Sequence, residues 1–146
     1  MAASQSPINA SEYHVAISTD GGTTYDRVGF AVDSNLNTGM GTRETSNKFS
    51  AGWRELAEGK REWSVSGSGL VVYNDADGDL VPTDLFALLK ARTKAKVKFT
   101  TANAGDYEYT GDAFLTVYNQ DGGTEDNLGY NFTFEGSGPL ADTAVV

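Results

Sequence analysis

Apolar residues recur at every second position along most of this chain, the period of a pleated strand with one buried face. In residues 12–18, Tyr13, Val15 and Ile17 fall on one face and Glu12, His14 and Ala16 on the other. In residues 25–32, Val28, Phe30 and Val32 form the apolar face. Asp20-Gly21-Gly22 separates the two runs, so residues 12–32 read as one hairpin. Lys94, Lys96 and Lys98 alternate with Ala95, Val97 and Phe99, giving a strand with a wholly basic face. Residues 107–118 and 128–137 are two more strands, with Tyr107, Tyr109 and Phe114 supplying aromatic density. Asp121-Gly122-Gly123, followed by Glu125 and Asp126, is the turn between them.

One stretch departs from this period. In residues 82–92, Leu85, Leu88 and Leu89 make a stripe at helical spacing. Pro82 suits a first turn, and Lys90 and Arg92 lie where the helix dipole favours cations. Asp79 or Thr83 is expected to cap it. Seventeen glycines and only three prolines fit strands and tight turns. The expected fold is mainly β, an antiparallel sandwich or partial barrel of about seven strands with one helix. It forms a single domain over residues 1–146, with a loose N-terminal arm (1–10) and a short tail (141–146).

Both tryptophans fall within residues 43–70. The spacing predicts a strand over 44–50, a turn over 51–56 and a second strand opening at Lys60. Trp63 and Val65 share a face of that second strand, which runs to Tyr73 and is interrupted by Gly67 and Gly69. Gly52 and Gly59 bracket the segment and loosen its backbone. A tryptophan buries a large area, so the residues alone give a core corner. Residues 33–42 contain two Gly, two Asn and almost no periodicity, and are expected to be a long inter-strand loop. A loop of that length is either functional or a plain flexible surface segment.

The total charge is −9, with 20 acids against 11 Lys and Arg. An acidic chain repels a phosphate backbone, which disfavours specific nucleic-acid binding. The lysine row then has two other readings. It guards an exposed sheet edge, or it meets acids on a neighbouring subunit. No stretch is long and apolar enough to span a membrane, and no signal-peptide pattern opens the chain, so synthesis in the cytoplasm is expected. Cysteine is absent, which removes disulfides and thiol chemistry. The only histidine, His14, lies in a strand, and no Gly-x-Ser-x-Gly elbow, phosphate loop or dinucleotide fingerprint occurs. No catalytic residue and no cofactor is expected. Asp75, Asp77 and Asp79 resemble the start of a calcium loop, but Gly78 is at the fourth position and Phe86 at the twelfth, so a turn is the expected reading and no metal ligand is assigned.

Taken together, Thr45-Ser46-x-Lys48, Gly52-Trp53-Arg54-Glu55, Gly59, Trp63 and Ser66-Gly67-x-Gly69-Leu70 resemble the major tail tube protein family of long-tailed (siphovirus-type) bacteriophages and gene transfer agents. The end of the chain, Phe134-Glu135-Gly136-Ser137-Gly138-Pro139-Leu140, is similar to that family's closing strand. Phe49 stands where the family more often has an acid. The resemblance implies a structural virion protein, not an enzyme. Its copies would form hexameric rings, stacked into a hollow tube through which the genome passes. The loop at residues 33–42 would reach between rings, with Leu36 and Met40 as apolar anchors and Asp33, Arg43, Lys48 and Trp53 as further contacts. Glu44, Glu108 and Asp112 are candidates to line the lumen. The partners implied are tape-measure protein, tail terminator and baseplate proteins, and double-stranded DNA as transiting cargo. Residue patterns leave two rivals: the tube of a contractile injection machine, and a monomeric carbohydrate-binding β-sandwich with calcium at residues 75–79.

Overall fold

The structure, a computed structural model, describes residues 5–8, 13–28, 31–73, 81–101, 103–122 and 127–145. The described elements are β1 (His14–Ser18), β2 (Asp26–Arg27), β3 (Ala31–Glu44), β4 (Leu56–Leu70), α1 (Pro82–Ala91), β5 (Ala95–Thr100), β6 (Tyr107–Asp121), β7 (Gly129–Gly136) and β8 (Ala141–Ala144). All strand pairs are antiparallel, in the order β2-β1-β5-β6-β7-β4-β3, with β8 also on β6. The sheet curls so that β1 and β3 touch. A mainly β fold with one helix is what the sequence period requires.

The concave face of the sheet holds the core. Val15, Ile17, Val65, Val97, Ala113, Leu115, Phe132 and Phe134 converge there with Leu85 of α1. An aromatic row, Phe86, Tyr118, Tyr130, Phe132 and Phe134, runs from the helix into the sheet with ring centroids 5.8–6.4 Å apart. Burial pushes the Tyr130 hydroxyl far above its usual range, so it stays neutral. The helix lies where its leucine stripe predicts, with Leu88 and Leu89 against the core. Its capping differs: Val81 is the N-cap, and the Asp84 carboxylate accepts the Val81 N–H at 3.2 Å. Thr83 is inside the first turn, and Asp79 lies outside the described residues. At the other end Arg92 takes a left-handed conformation, φ 56°, and donates its N–H to Leu88.

β7 and β8 occupy the same flank of β6. β7 pairs with residues 113–121 and β8 with 107–110, so they form one interrupted strand line. Residues 137–140 make the interruption, and Trp63 fills the space beneath it. The indole Nε1–H donates to the Gly138 carbonyl at 3.0 Å. The ring lies against Gly111 and Gly136, and a Cβ at either position would overlap it. The two sequence segments that carry the family resemblance therefore meet here, as they do at the adjoining Ser64↔Glu135 and Val65↔Phe134 pairs.

Several expectations change. Residues 33–42 are not a loop but most of β3, hydrogen-bonded to β4 through Ala31↔Gly69 to Glu44↔Leu56 with two bulges. Residues 45–50 are not a strand but part of a turn, and β4 opens at Leu56 rather than Lys60. The tail at 141–146 contains β8. The return strand expected over 25–32 shrinks to β2 plus a bridge at Val28; residues 29–30 lie outside the described residues. Val28 is buried, whereas Val32 is 72% exposed. The lysine strand is internal: β5 lies between β1 and β6 and guards no edge. The N-terminal arm is described only at 5–8, where it has no strand or helix, and residues 75–79 lie outside the described set.

Candidate assembly surface

β7 leaves β4 early. The two strands pair from Ser64↔Glu135 to Leu70↔Gly129, and β7 ends at Gly136. The β3–β4 ladder continues past that point to Glu44↔Leu56. Residues 39–62 therefore project beyond the sheet as a two-stranded arm, reaching about 20 Å at roughly 3.3 Å per residue. Most of its side chains are exposed on both faces. The outer edge of β3 and the Leu56–Glu62 edge of β4 pair with no other strand among the described residues. An isolated hairpin is marginal in water, and unpaired edges invite a further strand.

The tip of the arm is ordered by its own polar groups. Thr45 and Glu55 are joined by a backbone hydrogen bond of 2.9 Å, and the Ser46 hydroxyl accepts the Glu55 N–H at 2.7 Å. Asn47 Oδ1 accepts the Phe49 N–H at 2.8 Å, and the buried Ser50 hydroxyl accepts the Asn47 N–H at 3.0 Å. Ala51 and Gly52 then reverse the chain with φ of 54° and 84°. With the interior taken up by short polar groups, the large side chains face outward. Phe49 is 86% and Trp53 79% exposed, and Lys48 Nζ stands 5.6 Å from the Phe49 ring centroid. The core corner expected for both tryptophans holds for Trp63, at 7%, and not for Trp53.

The arm is also electrically distinct. Residues 43–62 carry five Lys and Arg against four acids, net +1, which leaves −10 on the rest of a chain whose total is −9. Within 45–54 the only charges are Lys48 and Arg54.

The sequence-selected contact residues spread along this arm and its root. Asp33 is on exposed β3, at the bulge, and its carboxylate accepts from Asn35 at 3.4 Å. Leu36 packs against its own core and is spent there. Met40, 55% exposed, is presented outward. Arg43 Nε donates to the Glu58 carbonyl at 3.3 Å, pinning the ribbon. Lys48 and Trp53 are at the tip. Phe49 and Arg54 belong with them and were not selected; the polar turn residues 45–52 around them were the available signal.

Of the acids selected for a lumen, Glu44 ends β3 on the arm, far from the other two in the fold. Glu108 and Asp112 are on β6, on the sheet face opposite the helix. Each meets a lysine of β5: Lys96 Nζ to Asp112 at 3.1 Å and Lys98 Nζ to Glu108 at 3.6 Å. The lysine row thus finds its acids one strand away in the same chain. Lys98 also caps the Tyr25 ring at 4.1 Å. Farther across, the same face is polar and acidic, with Asn35, Asn37, Ser64, Ser66, Ser68, Asn131 and Thr133 in register beside Asp33 and Glu135. No cluster of three metal-binding side chains occurs among the described residues, and no described helix is long and apolar enough to cross a membrane.

Comparison with known proteins places the fold. A search of curated proteins gave no match. Among solved structures, the chain is similar to the tail of an empty gene transfer agent particle determined with helical refinement and C6 symmetry (TM-score 0.77, 20% identity, 94% of this chain and 100% of that one). It is also similar to the SPP1 tail tube (0.69, 14%, 94% and 80%) and to a chain of the six-fold symmetrised baseplate of the anti-feeding prophage (0.71, 11%, 97% and 99%). The model of the phage tail tube protein family matches residues 10–142, nearly the full length, and the chain belongs to that family of structural, non-enzymatic proteins.

Proposed function

We propose that copies of this chain close into six-membered rings that stack into the hollow tube of a tail, the conduit for a phage-type genome. The observation that carries this reading is the arm: a β-ribbon with two unpartnered edges and an outward aromatic tip is unfinished in a monomer and complete in a polymer. The C6 symmetry of the gene transfer agent tail supports the ring number. In this reading Asp33, Met40, Arg43, Lys48 and Trp53 meet neighbouring subunits, with Leu36 holding the arm's root to its own core.

The sheet face opposite the helix suits the lumen. It carries Glu108 and Asp112, already balanced by Lys98 and Lys96, beside a field of small amides and hydroxyls. Such a wall offers passing DNA little net positive charge to condense on. Glu44 contributes to the lumen from the arm. Tape-measure protein would fill the tube before the genome, terminator and baseplate proteins would close its ends, and synthesis would be cytoplasmic in the host.

Negative-stain microscopy of the purified chain over a concentration series tests the reading. Six-fold rings or tubes are the expected result. A sample that stays monomeric at every concentration overturns it and favours a solitary binding module.

A further inference from the structure

β6 belongs to two half-sheets. Its residues 109–113 pair with β5 and residues 107–110 with β8, so this part sits with β1 and β2. Residues 113–121 pair with β7 and so sit with β4 and β3. The β5 and β7 pairings overlap only at Ala113, which is fully buried. Trp63 stands across this crossing. It comes from β4, in the second half, and its six-membered ring lies against Gly111 of the first. The pyrrole side of the indole lies against Gly136, where β7 ends. Its N–H donates to the Gly138 carbonyl, in the connector that carries the chain on to β8. That connector is also tied to β6, because the Ser137 N–H donates to the Asp112 carbonyl at 2.8 Å. One side chain thus touches both halves and the link between them. Beside the indole, at the root of the arm, a surface cleft of about 400 Å³ opens between Asn37, Thr38, Glu62 and Glu135. The other residues that line it are polar or glycine, so none of them can stand in for a buried ring.

We infer that Trp63 is a positioning residue: it sets the angle between the two half-sheets, and through that angle it decides whether neighbouring copies close into a ring. This deepens the tube reading, and its second half rests on it. A close-packed interior transmits a change of volume as a shift rather than absorbing it. Where two half-sheets share a single paired residue, such a shift becomes a rotation of one half against the other. The arm leaves from the β3–β4 half, while β1, β2, β5 and β8 present the other half. A neighbour that meets both surfaces reads the angle between them. Head-to-tail contacts give a ring when the rotation per copy closes and an open filament when it does not.

Two measurements test it. Cysteine is absent from the chain, so a pair of spin labels can be placed without background. Asp26→Cys on β2 and Asn35→Cys on β3 put one label on each half, both at exposed positions. Pulsed electron paramagnetic resonance reads the distance between them in the monomer, and negative-stain microscopy of unlabelled protein reads ring closure. Trp63→Leu should shift and broaden the distance distribution and turn closed rings into open arcs or filaments. Trp63→Phe should do the same to a smaller degree. Leu85→Ala, a cut in the buried core under the helix, should lower the urea midpoint yet keep the wild-type distance and closed rings. If circular dichroism shows that Trp63→Leu does not fold, Trp63→Phe decides. An unchanged distance in the Trp63 variants, or an equal shift in Leu85→Ala, overturns the inference alone. Shifted distances with rings that still close as in wild type overturn its second half. A wild-type chain that never forms rings overturns the tube reading and that second half with it, and the distances still decide the first.

Discussion

Trp53 and Trp63 belong to the same hairpin and have opposite fates. Trp63 is 7% exposed and closes the gap between β4, β6 and the β7–β8 line; Trp53 is 79% exposed at the end of the arm. The difference comes from what lies across from each. Opposite Trp63 are Gly111 and Gly136, which leave a slot of indole depth, and a carbonyl at Gly138 to take its N–H. Around Trp53 the turn satisfies its own hydrogen bonds with Ser46, Asn47 and Ser50, leaving no cavity to enter. One ring holds the subunit together, and the other stands in solvent, where the proposed assembly would use it.

Breaking this contrast should have graded effects. Trp63→Ala is expected to cost about 3–5 kcal/mol, read from the urea midpoint, since it removes a buried ring and leaves a cavity. Trp63→Phe keeps most of the ring and loses the Gly138 hydrogen bond, so it should fall well short of that loss. Gly136→Ala, which fills the slot from the other side, should cost about 1–3 kcal/mol by overpacking, with Trp63 fluorescence shifted. Lys96→Ala removes a half-exposed ion pair and should cost at most about 1 kcal/mol in the same assay. Trp53→Ala should stay within about 0.5 kcal/mol of wild type in the monomer yet lose tubes in the microscope. If Trp53→Ala unfolds the monomer, the division of labour is wrong.

The smallest effect is local. The Ser18 hydroxyl, with the Thr23 and Thr24 amides, holds the Asp20 carboxyl at about 2, below its ordinary 3.8. A lowered folded-state pKa stabilises above the unfolded value and is lost as pH falls through the folded one. Amide signals of Gly22–Thr24 should therefore titrate with a midpoint near pH 2, and Asp20→Asn should abolish that titration.

How much of this was legible in the sequence depended on burial. The helix, β5, β6 and β7 each bury one face, so their apolar period announces them. The arm half of β3 buries neither face, and a strand with water on both sides leaves no alternation to read; the Asn- and Gly-rich text of residues 33–42 reads as a loop. β8, Ala-Asp-Thr-Ala, is exposed throughout and held to β6 by ladder hydrogen bonds and the Thr143–Glu108 side-chain bond. The tip departs for the opposite reason: a tryptophan reads as core because it can bury a large area, and Trp53 stands outside. Glu62 and Glu135 are 73 positions apart, and only the β4–β7 register brings them to one cleft.

The arm's edges carry one more consequence. A ribbon open on both sides would ordinarily capture any passing strand and precipitate. Here Glu58, Lys60, Arg61 and Glu62 stud the ribbon with mixed charge. A stranger that slides in at the wrong offset sets like sign against like, and only the matched offset escapes that penalty. The same mixed charge keeps water on a ribbon whose edges are otherwise open.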